Sequence, residues 1–157
     1  MTAVVVQLAV SRGGVPKKTV PEALVDALGL ERDKQEHTKI HGGPDRAVCL
    51  FSLEVLQALQ AEGHPIYPGS TGENVLISGL DWAALAVGTR LAIGPEVVLE
   101  LTRTTTPCKQ IAGSFIEGNF HRLAVPNQMR WYSRVIAEGV LRPAMAVRIL
   151  TGVDAGT

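Results

Sequence analysis

Residues 89–102 read TRLAIGPEVVLELT, and this stretch has the pattern of β-structure. From Glu96 onward, polar and apolar residues broadly alternate, as they do along a strand with one buried face. A Gly-Pro pair interrupts the run near its middle, where a turn is expected. The stretch therefore predicts a β-hairpin with strands over Thr89–Ile93 and Glu96–Thr102.

Further short strands are expected on both sides of this hairpin. They are runs rich in β-branched residues and bounded by turn-forming residues, namely Val4–Val10, Lys17–Val20, Ala47–Phe51, Val75–Ile77 and Ala144–Leu150. Sixteen glycines and nine prolines punctuate the chain, and the strands do not alternate regularly with helices. We therefore expect a mainly β fold, a closed or nearly closed β-barrel with two or three peripheral helices.

The helical segments are fewer than the strands. Ser52 is expected to cap a helix that continues to Ala61, because apolar residues follow it at helical spacing. A second helix is predicted over Asn127–Glu138, and Asp81 is expected to cap one helical turn. The segment Pro21–Leu30 fits either a helical turn or a loop.

The composition is that of an ordinary globular protein. The chain has 157 residues, of which 46% are hydrophobic and 19% are charged, and this suits one domain over residues 1–150 with a flexible tail over 151–157. Fifteen Lys and Arg balance fifteen Asp and Glu, so we expect neither a nucleic acid nor a membrane as partner. Two cysteines make no disulfide framework, and a reducing cytoplasm is the expected location.

The two cysteines are expected to differ. Cys108 follows the predicted hairpin between Arg103 and Lys109, and nearby cations lower the pKa of a thiol. A short helix capped by Thr106 would add the positive end of its dipole. The alternative is that Cys108 is a small buried apolar side chain, as most free cysteines are. Cys49 lies inside an apolar run and is expected to be buried and inert.

Two glycine-rich loops are candidates for contacting an anion. Residues 41–46 read HGGPDR, where two glycines allow close approach of a ligand and successive N–H groups can form an anion-binding nest. His41 and Arg46 add donors to that loop. Residues 69–74 read GSTGEN and offer the polar side chains of Glu73 and Asn74. For each loop taken alone, a plain turn is the favoured alternative.

Arg130 and Arg134 share one face of the predicted second helix, where two guanidiniums fit a phosphate. The alternative is a solvated face with Trp131 in the core. The sequence has no Cys-x-x-Cys and no His-Glu-x-x-His, so neither a structural zinc site nor an iron–sulfur cluster is expected.

Several short pieces occur in a fixed order between about residues 4 and 150. They are Lys17, His41–Val48, Gly72–Asn74, Gly79–Leu80, Val87–Leu91, Pro107–Cys108, Arg130–Tyr132 and Val147–Ile149. Taken together, they resemble the MOSC family, which is named after the C-terminal domain of molybdenum cofactor sulfurase. No single piece is specific, but the ordered set is.

The resemblance implies a β-barrel with added helices and a pocket for a molybdenum–pterin cofactor. It implies that Cys108 is catalytic and either ligates molybdenum or carries sulfur. The cofactor-binding residues are then expected to be Lys17, His41, Gly42, Gly43, Asp45, Arg46, Glu73, Asn74, Arg103, Lys109 and Arg130.

The family includes cofactor sulfurases and reductases of N-hydroxylated compounds. One expectation is therefore a molybdenum-dependent reductase of N-hydroxylated small molecules that uses an external electron donor. The alternative is a non-catalytic sulfur (persulfide) or cofactor carrier that acts with a partner enzyme, in which case a sulfur-transfer protein is the expected partner in place of the electron donor. A weaker third interpretation is a domain that binds an unrelated anion without a cofactor.

A bound anion requires cations to cluster although the chain as a whole is neutral. We expect Arg46, Arg103, Lys109 and Arg130, which are far apart in sequence, to converge around Cys108. Lys17 is expected to join them.

Overall fold

The structure is a computed structural model that describes residues 2–33 and 43–151. These residues form eleven strands, which are Ala3–Val10 (β1), Lys18–Val20 (β2), Ala23–Asp26 (β3), Gly29–Leu30 (β4), Val48–Ser52 (β5), Val75–Ser78 (β6), Arg90–Ile93 (β7), Val97–Thr104 (β8), Trp131–Ala137 (β9), Gly139–Leu141 (β10) and Ala146–Ile149 (β11). They also form one α-helix, Leu53–Ala61 (α1), and five 3₁₀ turns over Pro44–Arg46, Trp82–Ala84, Lys109–Ser114, Ile116–Gly118 and Phe120–Ala124.

Seven strands close a mixed β-barrel, which confirms the predicted fold class. The hydrogen-bonded order around the barrel is β1-β11-β7-β8-β9-β5-β6 and back to β1. The pair β5–β6 is parallel, because α1 carries the chain back between these two strands, and the other barrel pairs are antiparallel. Strand β2 extends the sheet beside β1, while β3, β4 and β10 form a separate small sheet.

The predicted hairpin is confirmed as β7 and β8. Leu91 pairs with Leu99 and Ile93 pairs with Val97, and all four side chains are buried. Because alternate residues of a strand share one face, the register that pairs these residues also sends them together into the barrel.

The barrel interior is the main apolar core, and each of the seven barrel strands contributes to it. A second apolar cluster lies where α1 and the 3₁₀ turns over residues 109–124 pack on β5 and β6. Leu50 belongs to the first cluster and its neighbour Phe51 to the second, as the alternation of strand side chains requires. The segment that follows β8 is therefore anchored beside the barrel by apolar packing.

Helix α1 has the predicted cap. The Ser52 hydroxyl accepts a hydrogen bond from the backbone N–H of Val55 at 3.2 Å. Asp81 precedes a short 3₁₀ turn, but its side chain makes no capping bond. No helix in the described ranges is long and apolar enough to cross a membrane.

Two segments differ from the sequence-based expectation. The predicted helix over Asn127–Glu138 is wrong, because strand β9 occupies Trp131–Ala137. Its aromatic and β-branched residues favour a strand, and a four-residue spacing of charges fits a strand face as well as a helix face. Pro21–Leu30 is neither helix nor loop but the β3–β4 hairpin. The predicted flexible tail lies outside the described residues, apart from Thr151.

Candidate functional site

A cavity of about 70 Å³ lies where three connecting segments meet the start of β9. These segments are the one after β1, the loop before β6 and the one after β8. The lining comprises Gly14, Val15, Lys17, Cys49, Thr71, Gly72, Asn74, Thr106, Cys108, Gln110, Ile111, Arg130 and Tyr132. Residues from widely separated parts of the sequence therefore share one concave surface.

Four of the predicted site residues line this cavity, namely Cys108, Lys17, Asn74 and Arg130. Among the described residues, the lining does not include Gly43, Asp45, Arg46, Glu73, Arg103 or Lys109. His41 and Gly42 lie outside the described residues. The structure thus gathers part of the expected set, and the binding roles of all these residues remain predictions.

Cys108 is a free, half-buried thiol at the edge of the cavity. It occupies the position before the 3₁₀ turn Lys109–Ser114, and its backbone carbonyl accepts a hydrogen bond from Ile111 N–H at 3.1 Å. The expected cap at Thr106 is wrong, because the turn begins after Cys108 and not at residue 107. The cysteine is thus held by its backbone.

Arg130 is a buried cation on the same cavity. Its residue is 5% exposed, and Nη1 donates a hydrogen bond to the carbonyl oxygen of Thr71. Within the described part of the chain, Nε is buried with no hydrogen-bond partner. An unsatisfied buried donor costs about 1–3 kcal/mol, so an acceptor brought by a ligand would remove a real penalty.

Arg134 does not join Arg130. It is exposed, and its Nε lies 3.6 Å from Asp45 Oδ1 and 3.4 Å from Glu100 Oε1. Asp45 is further fixed by the Thr102 hydroxyl, which donates to its backbone carbonyl at 2.5 Å. The expected guanidinium pair is therefore absent, and Asp45 belongs to a surface ion-pair network.

The expected convergence of cations is only partly met. The Arg46 guanidinium lies 5.9 Å from the ring centroid of Tyr132, a residue that lines the cavity. Arg103 pairs with Tyr132 in the β8–β9 ladder but is exposed, and Lys109 is exposed as well. In the described residues, the cations on the cavity lining are Lys17 and Arg130.

Lys17 is held by Asp33, which belongs to no recognisable sequence motif. Lys17 Nζ lies 2.6 Å from Asp33 Oδ1, and their side chains are only 8% and 2% exposed. Asp33 Oδ2 accepts a hydrogen bond from Asn74 Nδ2 at 3.0 Å. Asn74 Oδ1 in turn accepts from the backbone N–H of Cys49 at 2.9 Å. A buried chain of polar contacts therefore runs from the cavity lysine to the barrel wall.

Cys49 is buried, as expected, but it also lines the cavity. Its Sγ lies 3.9 Å from the hydroxyl of Thr105. Burial raises the pKa of the Cys49 thiol, although the nearby Arg130 acts in the opposite direction. Burial likewise raises the pKa of Tyr132. The expectation that Cys49 is inert stays a prediction.

Glu73 is buried in the loop before β6, whose residues Thr71, Gly72 and Asn74 line the cavity. Its Oε2 accepts from Gly69 N–H and its Oε1 from the Thr71 hydroxyl, both at 2.6 Å. Burial raises the pKa of this carboxyl. Gly69 has φ +89°, and a Cβ there would lie 2.5 Å from the carbonyl oxygen of Lys17. The loop therefore needs glycine at this position to pack against the segment that carries the lysine.

The arrangement suits a ligand with a thiophilic centre and an anionic group. A half-buried thiol supplies a soft donor, and a buried guanidinium supplies a charge-assisted hydrogen bond. In residues 2–33 and 43–151, no group of three or more His, Cys, Asp or Glu side chains is placed to hold a metal ion.

Residues 37–148 match the MOSC domain. The chain belongs to the MOSC domain family. This is the family that the ordered sequence motifs resemble, and it is associated with the molybdenum cofactor.

Among relatives, the chain is 26% identical to the uncharacterized protein YflK of Bacillus subtilis over 146 residues, which cover 91% of this chain and 66% of YflK. It is 28% identical to YiiM of Escherichia coli over 123 residues, which cover 75% of this chain and 54% of YiiM. The chain thus spans between about half and two thirds of the length of these relatives.

Solved structures share the fold. The crystal structure of YiiM from Geobacillus stearothermophilus superposes with a TM-score of 0.72 at 22% identity, covering 98% of this chain and 78% of that one. YiiM from Escherichia coli gives a TM-score of 0.69 at 22% identity, with coverages of 94% and 70%. At such identities the likeness concerns the fold alone.

Proposed function

We propose that this MOSC protein binds a molybdenum–pterin cofactor in the cavity and reduces N-hydroxylated small molecules with electrons from an external donor. One observation carries the proposal: the Cys108 thiol lines the same cavity as the buried Arg130, whose Nε has no hydrogen-bond partner among the described residues. Thiolate is a soft ligand suited to molybdenum, and guanidinium is suited to phosphate. Membership of a family associated with this cofactor supports the same assignment.

The residues present fit such a group. The Cys108 sulfur would hold the metal, and Arg130 with Lys17 would hold the anionic phosphate. Asn74 is already engaged with Ala9, Asp33 and Cys49, so it shapes the cavity wall. When bound, the cofactor would supply the electron pair that, with two protons, converts N–OH into N–H and water.

The protein's own contribution would be orientation and charge balance. Arg130 would offset the negative charge of the ligand from a site that water hardly reaches. Lys17 can donate a proton or a hydrogen bond at its Nζ. The apolar parts of Val15, Ile111 and Tyr132 on the cavity lining would limit the access of water.

The test is the content of molybdenum and pterin after expression in a host that makes the cofactor. We expect both in the parent protein and neither when the host pathway is inactive. Cys108→Ser should retain far less molybdenum, while Cys49→Ala serves as the matched thiol control. Absence of metal and pterin from the parent, with the host pathway shown to be active, would contradict the proposal.

A second function, a sulfur carrier, is favoured by one observation. Cys49 places a second thiol on the cavity that Cys108 lines, so a sulfur atom held as a persulfide on Cys108 would share the cavity with another thiol. Intact-mass analysis would detect the added sulfur on Cys108, and transfer to a partner protein without turnover would support the carrier. Reduction of an N-hydroxylated base with an artificial reductant would support the enzyme.

A further inference from the structure

We propose that Asp33 is a positioning residue that holds the Lys17 ammonium at the cavity and ties it to Asn74. The cavity then presents a fixed cation to an anionic ligand. The MOSC match begins at residue 37, so Asp33 lies outside the matched part of the chain, and none of the ordered sequence motifs includes it. The inference rests on the proposed function in one respect: the ligand carries a phosphate-like group.

Asp33 is occupied on both carboxylate oxygens. Oδ1 accepts from the backbone N–H of Ser11 at 3.0 Å and from Lys17 Nζ at 2.6 Å. Oδ2 accepts from Asn74 Nδ2 at 3.0 Å. With its side chain 2% exposed and these contacts made, Asp33 supports its neighbours and is not itself a ligand for the cavity.

Lys17 keeps donors free for a ligand. An ammonium has three N–H bonds, and Asp33 takes one of them. Among the described residues, no other acceptor lies within hydrogen-bonding distance of Nζ, and the residue lines the cavity. A lysine stem is flexible, so fixing its head in advance lowers the entropy lost when an anion binds.

Asn74 connects the Lys17–Asp33 pair to the barrel wall. Its Nδ2 also donates to the carbonyl oxygen of Ala9 on β1 at 3.2 Å, and its Oδ1 accepts from Cys49 on β5 at 2.9 Å. The amide therefore spans two barrel strands while it faces Asp33. The ammonium is placed by the rigid barrel through two side chains, although it sits on a connecting segment.

Positioning and simple charge predict opposite results for Asp33→Asn. If Asp33 only adds negative charge, its removal makes the cavity more positive and tightens anion binding. If Asp33 positions Lys17, the variant leaves the ammonium free to leave the cavity and binding weakens. The sign of the change therefore separates the two.

The probe is inorganic phosphate, and the readout is its protection of Cys108 from iodoacetamide in protein made without the cofactor. We expect Asp33→Asn and Lys17→Met each to raise the phosphate dissociation constant about tenfold, which corresponds to 1.4 kcal/mol. The double variant should bind no more weakly than Lys17→Met alone, because both changes remove one interaction. The exposed Lys18→Met and Asp81→Asn are the matched controls and should bind as the parent does.

Phosphate binding by Asp33→Asn that equals or exceeds that of the parent would overturn the inference, and so would additive effects in the double variant or no protection in the parent. If Asp33→Asn shows no cooperative melting, Asp33→Glu replaces it. That variant keeps the charge but displaces the ammonium, so weaker binding is expected and parent-like binding would overturn the inference. Absence of molybdenum from the parent protein would contradict the proposed function. It would not affect the comparison of phosphate binding between the parent and the Asp33 and Lys17 variants.

Discussion

Arg130 and Arg134 lie four residues apart, yet their surroundings differ. Arg134 is exposed on the outer surface of the barrel between the carboxylates of Asp45 and Glu100. Arg130 is buried at the cavity, and in the described residues its Nε has no partner. On the surface, the Arg134 guanidinium is paired with carboxylates of the protein. At the cavity, the Arg130 guanidinium has a donor that a ligand could use. That difference points to an anionic ligand.

The carboxylates of Glu100 and Glu73 differ in the same way, one being on the surface and the other buried. Glu100 forms surface ion pairs with Arg90 at 2.9 Å and with Arg134 at 3.4 Å. Glu73 is 1% exposed, and both of its carboxylate oxygens accept hydrogen bonds from residues of its own loop. Burial raises the pKa of Glu73, and its hydrogen bonds stay within the loop before β6. Of the two cations that the described residues place on the cavity lining, Lys17 is paired with Asp33, whereas Arg130 donates to a backbone carbonyl.

The largest expected effect is on anion binding by Arg130→Met. Loss of a charge-assisted hydrogen bond should weaken binding of phosphate or cofactor by roughly ten- to a hundredfold. The melting temperature should change little, because methionine removes a buried donor that has no partner among the described residues but also leaves the Thr71 carbonyl without its hydrogen bond from Arg130. Equilibrium binding and thermal melting measure the two effects. Equal losses of anion binding in Arg130→Met and Arg134→Met would contradict the claim that only Arg130 of the two contacts the anion.

The two thiols should differ in alkylation by roughly tenfold or more. Cys108 is half-buried and should react first, whereas burial raises the pKa of Cys49 and limits access to it. Alkylation against pH, followed by peptide mass mapping, gives both rates. Faster labelling of Cys49 in the native protein would reverse the assignment.

Glu73→Gln should change how stability depends on pH. Because burial raises the pKa of Glu73 in the folded state, the folded protein keeps a proton that the unfolded chain loses as pH rises. The stability that this proton contributes to the folded protein is therefore complete at acid pH. It is lost as the pH rises through the pKa of Glu73 in the folded state. We expect the variant to lose less stability than the parent between acid and neutral pH. Denaturant unfolding at several pH values measures this, and identical slopes for the two proteins would contradict it.

The smallest expected effect is on stability in Arg134→Ala. Its ion pairs are solvent-exposed, so the free energy of unfolding should change by no more than about 0.5 kcal/mol. The change should shrink further at high salt, because exposed charges are screened. Urea unfolding at low and high salt is the measurement. A loss several times larger would mean that the surface network stabilises the loop at Asp45 more than its exposure suggests.

Much of the fold could be predicted because the barrel strands carry local patterns. The β7–β8 hairpin and the capped helix α1 follow from alternation, turn residues and an N-cap. Strand β9 lies where the sequence predicts a helix, because its pairing with β5 and β8 decides its structure. Its β-branched residues were the signal that would have corrected this.

The site was less predictable because pairing between strands assembles it. Cys49 reaches the cavity because β5 pairs with β9, which sets Cys49 opposite Tyr132. No local pattern announces that neighbour, nor the contact between Asp33 and Lys17, which are sixteen residues apart. Ordered motifs did identify Cys108, Asn74 and Arg130 as candidates, and these do share a cavity.

The central claim is that the cavity thiol Cys108 holds molybdenum. Molybdenum-edge X-ray absorption on protein loaded in a cofactor-producing host tests it most directly. We expect the molybdenum that Cys108→Ser still retains to have one sulfur ligand fewer than in the parent, with the spectrum of Cys49→Ala unchanged. A spectrum of Cys108→Ser identical to that of the parent would contradict the claim.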